Sequence, residues 1–384
     1  MTKERKFQIE QLLEAPQVLL HKEQISQQVT GKTILVTGAA GSIGSEVAKQ
    51  LLLYVPKKIL LLDVAEIPLN KLCLKLEGIH KETELVPYLA DIKDENLMQN
   101  VFATHQPEIV YHAAANKHVP LLEGFPYQAI QNNVLGTKII ADLSNVFQVK
   151  TFVFISTDKA VNPSSVMGAS KRIAEQYIQS VNQESATGFI VTRFGNVFGS
   201  SGSVGPIFSR QIKAGGPLTI THPEMERYFM TTTQACELVL ESGAMGKGGE
   251  IFMFDMGNPI RIVDLAHQMI LAAGLVPELD IKIEWIGLRP GEKLQEDLIT
   301  VNDILIATNH PQIKWVQSSF NQKMPSIAQN PLSSTRKKPH FCVTHLLSKW
   351  WFRFRDKNDT NRLFFPELPR FFGWCRCNGV GCCW

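Results

Sequence analysis

Short apolar runs alternate with longer amphipathic stretches along the first half of the chain. The runs cover 33–37, 58–62, 85–88, 109–112, 151–156 and 189–194. Runs this short and apolar at nearly every position predict strands buried on both faces. Between them, apolar residues recur at helical spacing over 43–54, 66–77, 94–104, 127–147 and 168–182. Such alternation predicts an α/β fold, a doubly wound parallel sheet, over residues 31–200. Beyond about 200 the rhythm is broken by Gly202, Gly205, Gly215, Gly216 and Pro217. Helices near 232–244 and 262–274 and strands near 250–254 and 281–286 follow. We read 201–318 as a smaller C-terminal substrate-binding lobe, interleaved with the sheet domain. Residues 1–30 read as a short helical lead-in (Ile9, Leu12, Leu13) and a linker. Residues 319–384 have no period and hold four of the six Trp and five of the seven Cys. They read as an atypical tail without ordered structure.

Composition narrows the class. An apolar content of 44% over 384 residues supports a large core. No apolar stretch approaches the ~20 residues of a membrane span. The charged start, Met1 to Lys6, has no apolar segment behind it, so no signal peptide and a cytoplasmic protein are expected. The formal charge of +3 is misleading, because residues 319–384 hold 11 Lys/Arg against 3 Asp/Glu. The body is mildly acidic and offers no footprint for nucleic acid. Its two cysteines, Cys73 and Cys236, are scattered, and no metal-ligand spacing occurs, so no metal site is expected.

The run Thr33-Ile34-Leu35-Val36 feeds Gly38-Ala39-Ala40-Gly41-Ser42-Ile43-Gly44 and then a helical pattern. Glycines at 38, 41 and 44 let the backbone approach a diphosphate. The helix opening at Ser42 and Ile43 offers it unpaired N–H groups and a partial positive charge. The next strand ends at Asp63, roughly 20 residues on, where a carboxylate holds the adenosine ribose of a dinucleotide. A glycine turn in some other α/β protein is the bland alternative, and this context weighs against it. The sheet is therefore expected to be of the Rossmann type. Asp63 pairs with a ribose 2′-hydroxyl and repels a 2′-phosphate, and no Arg follows in Val64-Ala65-Glu66, so NAD is favoured over NADP. Asp91 reads equally as an adenine contact or as a helix cap before Ile92.

A second constellation begins at Phe154-Ile155-Ser156-Thr157-Asp158-Lys159, a strand that ends in polar residues. Parallel sheets bind ligands at the carboxyl ends of their strands. Met167-Gly168-Ala169-Ser170-Lys171 opens the next helix, with Met167 and Lys171 on one face. These segments, the glycine turn and Tyr111-His112-Ala113-Ala114-Ala115 resemble the extended short-chain dehydrogenase/reductase superfamily. Further motifs narrow the resemblance. They are Lys117-His118-Val119-Pro120, Asn132-Asn133-Val134-Leu135-Gly136-Thr137, Ala160-Val161-Asn162-Pro163, Arg193-Phe194-Gly195-Asn196-Val197 and Arg289-Pro290-Gly291-Glu292-Lys293. Over residues 9–315 the chain resembles the CapD-like UDP-N-acetylglucosamine 4,6-dehydratases of polysaccharide biosynthesis. Long members of that family carry membrane helices and a further domain ahead of the catalytic part, which this chain is expected to lack.

The resemblance implies an NAD-dependent lyase acting on a UDP-N-acetylhexosamine, and a homo-oligomer. In such enzymes hydride leaves C4 and the new ketone acidifies the C5 proton. A base removes that proton while an acid protonates the C6 hydroxyl, and water leaves. Hydride then returns to C6, giving a 4-keto-6-deoxy sugar. By resemblance Lys159 is the base, Asp158 the acid, and Thr157 the hydrogen-bond partner of the C4 oxygen. Lys171 holds the nicotinamide ribose, and Ala113 and Ala114 border the cofactor. Simple superfamily members have Tyr at the place of Met167, and a thioether cannot take a proton. Met167 then belongs either to a site where Asp158 assists at the C4 hydroxyl or to a dead enzyme. The membrane-bound branch of the family itself has Met here. His118, Asn196, Arg227 and Arg289 are the candidate substrate contacts. Guanidinium groups suit the diphosphate, although lone arginines also serve as surface residues. His112, set among alanines, reads as a core histidine. A UDP-sugar 4-epimerase and a non-catalytic nucleotide-binding fragment are the competing readings. An epimerase does not need the Asp158-Lys159 pair, and a fragment has no use for an intact Thr157-Asp158-Lys159.

Overall fold

The structure, a computed structural model, describes residues 17–79, 82–200 and 202–317. The readings made for 1–16 and 319–384 lie outside the described residues.

Six predicted runs form strands: β1 (Thr33–Thr37), β2 (Lys58–Asp63), β3 (Glu84–Leu89), β4 (Ile109–His112), β5 (Thr151–Ile155) and β6 (Gly188–Arg193). They lie in the order β3-β2-β1-β4-β5-β6, all parallel. Strand Ile251–Phe254 adds in parallel beyond β6. Ile313–Gln317 and then Ile304–Ala307 close that edge antiparallel, completing nine strands. These last two strands escape the sequence reading. They are short, and Ile304, Leu305 and Trp315 are partly exposed, so no buried run marks them.

The pleat sorts each apolar run onto two faces. Ile34, Val36, Ile59, Leu61, Tyr111 and Val153 point into one core. Leu35, Leu60, Leu62, Val110, Phe152 and Phe154 point into the other. Each fully buried side chain of this size contributes about 1.5–3 kcal/mol, which is why the central positions of the inner strands are apolar while polar residues fall at their ends. Helices Ser42–Leu51 and Thr232–Met245 cover the first face through Val47, Ala48, Leu51, Ala235, Leu238 and Val239. Helices Glu95–His105, Thr137–Val146 and Val166–Asn182 cover the second through Phe102, Ile140 and Ile178.

Residues 22–30 are not a linker. Lys22–Val29 is a helix whose Ile25 and Val29 are fully buried in the first core. Two apolar residues four apart are too few to announce a helix in sequence. The segment is clasped further by Glu241, which accepts from the His21 backbone N–H and pairs with His21 Nδ1 at 3.1 Å. His310 Nε2 meets the Leu19 carbonyl at 2.6 Å.

The helix read over 127–147 is interrupted by a π-helical stretch, Ile130–Gly136. Its wider turn places Asn133 in the interior, fully buried. The Asn133 amide accepts from Asn116 N–H at 2.8 Å and donates to the Asn116 carbonyl and to Ser170 Oγ, each at 2.9 Å. A single side chain thus ties the loop after β4 to the helix that carries Lys171.

A third apolar cluster belongs to the chain beyond β6. Phe198, Phe208, Leu218, Ile220, Phe229, Ile262, Leu265 and Ile270 form it. The strand predicted at 281–286 appears as Ile283–Trp285 and pairs with Leu218–Ile220 here. Helix Thr232–Met245 and strand Ile251–Phe254, in contrast, return to the large sheet, so the chain crosses between the two cores.

Candidate active site

A cleft of about 870 Å³ opens at the carboxyl ends of β1, β4 and β5. Its floor is the glycine turn. Gly38 has φ +64°, and a Cβ there would stand 2.7 Å from the Ala114 backbone. A Cβ on Gly44 would stand 2.2 Å from the Gly38 carbonyl oxygen. Only glycine permits this packing of turn, helix and β4 loop. Gly38, Gly41, Ser42, Ile43, Gly44 and Ala113 line the cleft, and helix Ser42–Leu51 starts from Gly41 at its base. Asp63 ends β2 beside the turn and accepts from Ala40 N–H and Ala65 N–H, each at 2.9 Å. Those two bonds hold its carboxylate in one orientation. The turn therefore fits a dinucleotide diphosphate, and Asp63 fits a ribose hydroxyl.

Asp91 does not cap a helix. It accepts from Lys93 N–H at 2.9 Å in a turn, and Asp94 is the cap of Glu95–His105, accepting from Leu97 N–H at 3.0 Å. The cap sits three residues later because the chain needs a turn to leave β3. His112 is a core histidine. It is fully buried between Thr37 Oγ1 at 2.7 Å and Thr137 Oγ1 at 2.9 Å. Burial, reinforced by the charge of Lys171, pushes its pKa down to about 3.

The wall of the cleft is the short turn Asp158–Ala160 that follows β5. Lys159 points into the cleft. Its Nζ donates to Asp158 Oδ1 at 3.1 Å and to Asn196 Oδ1 at 3.0 Å. Glu296 Oε1 lies 3.4 Å away. Burial opposes the ammonium charge, but Asp158 and Glu296 outweigh it and raise the Lys159 pKa above the ordinary lysine value. Thr157 also lines the cleft, and its hydroxyl donates to Asp158 Oδ1 at 2.8 Å.

Asp158 itself is not on the wall. It is fully buried, beneath Thr157 and Lys159, and its Oδ2 has no hydrogen-bond partner among the described residues. Asp158, expected as the acid that meets the sugar, does not line the cleft in this structure. The tight turn directs adjacent side chains to different sides, so Lys159 faces the cleft and Asp158 the interior.

Helix Val166–Asn182 packs against this turn. A Cβ on Gly168 would stand 2.2 Å from the Lys159 carbonyl oxygen. Ser165 Oγ accepts from Gly168 N–H at 3.1 Å, and Glu123 Oε1 accepts from Val166 N–H at 2.7 Å. Met167 and Lys171 face the cleft as their spacing requires. Met167 packs with Leu122 and Ala129. Lys171 Nζ donates to the Ile155 carbonyl at 2.6 Å and lies 3.9 Å above the Phe154 ring centroid. Burial lowers its pKa to about 7, although Glu175 pulls the other way.

The far wall supplies His118, Asn196, Arg227 and Arg289. His118 is exposed and packed so closely on Gly202 that a Cβ there would meet its Cε1 at 2.5 Å. Asn196 is occupied in part by Lys159. Arg227 lines the cleft, with its guanidinium engaged by backbone carbonyls. Its guanidinium donates to the carbonyls of Glu226 at 2.6 Å, Leu294 at 2.9 Å and Lys293 at 2.8 Å. It anchors the 289–296 loop. Arg289 is exposed at the cleft and remains the arginine suited to a phosphate.

Sequence reasoning assigned no role to three residues of this site. Glu175 is buried behind β5 and receives Arg193 Nε at 2.8 Å, Arg193 Nη2 at 2.7 Å and Ser156 Oγ at 2.6 Å. Arg193 opens the quoted Arg-Phe-Gly-Asn motif, which is the one signal that pointed there. Glu296 lies just past the Arg-Pro-Gly-Glu-Lys motif, with nothing in the sequence to pair it with Lys159.

Comparison with known proteins follows the same lines. The chain is 51% identical over 310 residues to the capsular polysaccharide biosynthesis protein CapD of Staphylococcus aureus, covering 80% of this chain and 51% of CapD. It thus spans about half the length of that relative. It is 35% identical to a UDP-N-acetylglucosamine 4,6-dehydratase (inverting) of Campylobacter jejuni, over 71% of this chain and 79% of that one. A UDP-glucose 4-epimerase of Rickettsia bellii is 33% identical over the same shares. The chain is therefore related to nucleotide-sugar dehydratases and epimerases. The polysaccharide biosynthesis protein family matches residues 34–318, and the chain belongs to that family.

Proposed function

We propose that this protein is an NAD-dependent 4,6-dehydratase of UDP-N-acetylglucosamine or a close UDP-N-acetylhexosamine. The observation that carries the reading is Lys159: an amine at the cleft wall, held between Asp158 and Asn196, beside a glycine cradle. Elimination of water needs an acid–base group over C5 and C6, whereas epimerisation at C4 does not. Gly38, Gly41, Gly44, Asp63 and Lys171 would hold NAD, with Ala113 bordering it. NAD, when bound, would supply hydride-transfer chemistry between C4 and C6. Thr157 orients the C4 hydroxyl and relays its proton to the Asp158 carboxylate as the hydride leaves C4. Lys159, as the free amine, takes the C5 proton. The ammonium so formed stands ready to protonate the C6 hydroxyl as water leaves. Asp158 works through Lys159 and Thr157 rather than on the sugar. Arg289 receives the diphosphate.

The test is incubation with UDP-N-acetylglucosamine and NAD in deuterated water, followed by NMR. The expected product is a 4-keto-6-deoxy sugar nucleotide carrying deuterium at C5. Lys159→Ala should bind NAD and lose turnover by about 10²–10⁴-fold. A C4 epimer, or an unchanged sugar, would overturn the reading.

A further inference from the structure

Lys159 has a second carboxylate, reached across a small cavity. Glu296 Oε1 lies 3.4 Å from Lys159 Nζ, and its side chain is only 5% exposed. The two share a small cavity of about 120 Å³ with Ser164, Ser165, Arg227 and Glu292. Asp158, the first carboxylate, does not reach that cavity. Glu296 arrives there because Arg227 holds the carbonyls of Lys293 and Leu294, and Arg227 Nε is 3.8 Å from Glu296 Oε1. Asp158, Lys159, Glu296 and Arg227 therefore form a chain of alternating charge that joins the turn after β5 to the small lobe.

We propose that Glu296 is a positioning residue of the active site: it braces the Lys159 ammonium and sets the charge that Lys159 must shed before acting on C5. The inference rests on the base role of Lys159 proposed above. A partly buried amine between two carboxylates is held in place and held protonated. Other charged groups surround Lys159. Arg227 opposes its charge, and Glu292 shares the small cavity. Lys293 pairs with Asp297 at 2.9 Å, and Lys171 and Arg172 ride on the helix packed against the turn. Among these, Glu296 is the acid that comes from the small lobe to contact Lys159 directly.

The experiment is the pH profile of turnover for the parent, Glu296→Gln and Glu296→Asp, with thermal melts to show that each variant folds. Glu296→Gln keeps an oxygen near Lys159 but removes the charge. Its acid limb should move to lower pH by about one unit or more. Glu296→Asp keeps the charge and should leave the limb near that of the parent. An unmoved limb in Glu296→Gln overturns the proposal. Lys159→Ala is measured beside them for C5 deuterium exchange. Lost exchange in Lys159→Ala with an unmoved limb in Glu296→Gln removes Glu296 alone. Retained exchange in Lys159→Ala removes the base reading, and Glu296 with it.

Discussion

Replacing Gly168 by alanine places a methyl where the structure has the carbonyl of Lys159. The added Cβ would stand 2.2 Å from that oxygen, 3.1 Å from its carbon and 3.2 Å from Pro163 Cβ. The neighbours are backbone and a proline ring, so no flexible side chain can swing away. To restore ordinary contact, helix Val166–Asn182 and the turn Asp158–Ala160 must separate by about 1 Å. Overpacking of this kind costs about 1–3 kcal/mol of stability. The larger effect is on chemistry. Met167 and Lys171 ride on the helix and Lys159 on the turn, so separation changes the spacing of groups that must meet one sugar and one cofactor. A displacement of that size costs roughly 100-fold in turnover. Gly78 is the control, since a Cβ there meets nothing within 4 Å. The assay pairs urea unfolding with NMR initial rates on UDP-N-acetylglucosamine. Gly168→Ala should lower both the unfolding midpoint and turnover, and Gly78→Ala neither. A Gly168→Ala protein with parental turnover would refute the claim that this contact sets the site's geometry.

Other outcomes follow from the same structure. Asp63→Ala should weaken NAD binding by about 1.5–3 kcal/mol in calorimetry, and tighter binding of NADP than NAD by the parent would count against Asp63 as the ribose anchor. Glu175→Leu leaves the buried Arg193 charge without its bidentate partner and should cost about 3–5 kcal/mol in urea unfolding. The double variant Glu175→Leu with Arg193→Met should recover much of that loss, and no recovery would show that the pair acts through something other than charge. His112 is kept neutral in the fold, so the unfolded chain binds the extra proton. Its contribution is therefore full above its ordinary pKa of 6.5 and is lost as pH falls toward about 3. Urea midpoints between pH 4 and 6 should fall less steeply in His112→Gln than in the parent, and equal slopes would exclude His112 as the cause.

The glycine turn, the parallel strands and the approximate helices were legible in the sequence because each is a local pattern. A strand buried on both faces must be apolar throughout, and a backbone that touches Ala114 must be glycine at 38. Those demands act residue by residue and leave a mark that needs no partner. Lys159 and Lys171 stood out by their strand-end and helix-start contexts, and both line the cleft, while their roles came from the family resemblance alone. What the tertiary structure alone decided concerns pairs distant along the chain. Lys159 and Glu296 are brought together across 137 residues by Arg227, and Glu175 meets Arg193 across 18. Neither contact leaves a periodic or compositional trace. Burial is likewise a property of the assembled fold. Asp158 and Lys159 are adjacent in sequence, yet one turn sends the first into the core and the second into the cleft. Arg227 has the chemistry for a diphosphate, yet its guanidinium is engaged by the neighbouring Glu226 carbonyl and by two carbonyls of a distant loop, Lys293 and Leu294. Local sterics and hydrophobic periodicity are written along the chain, while the partner of a charge is set only when the chain closes on itself.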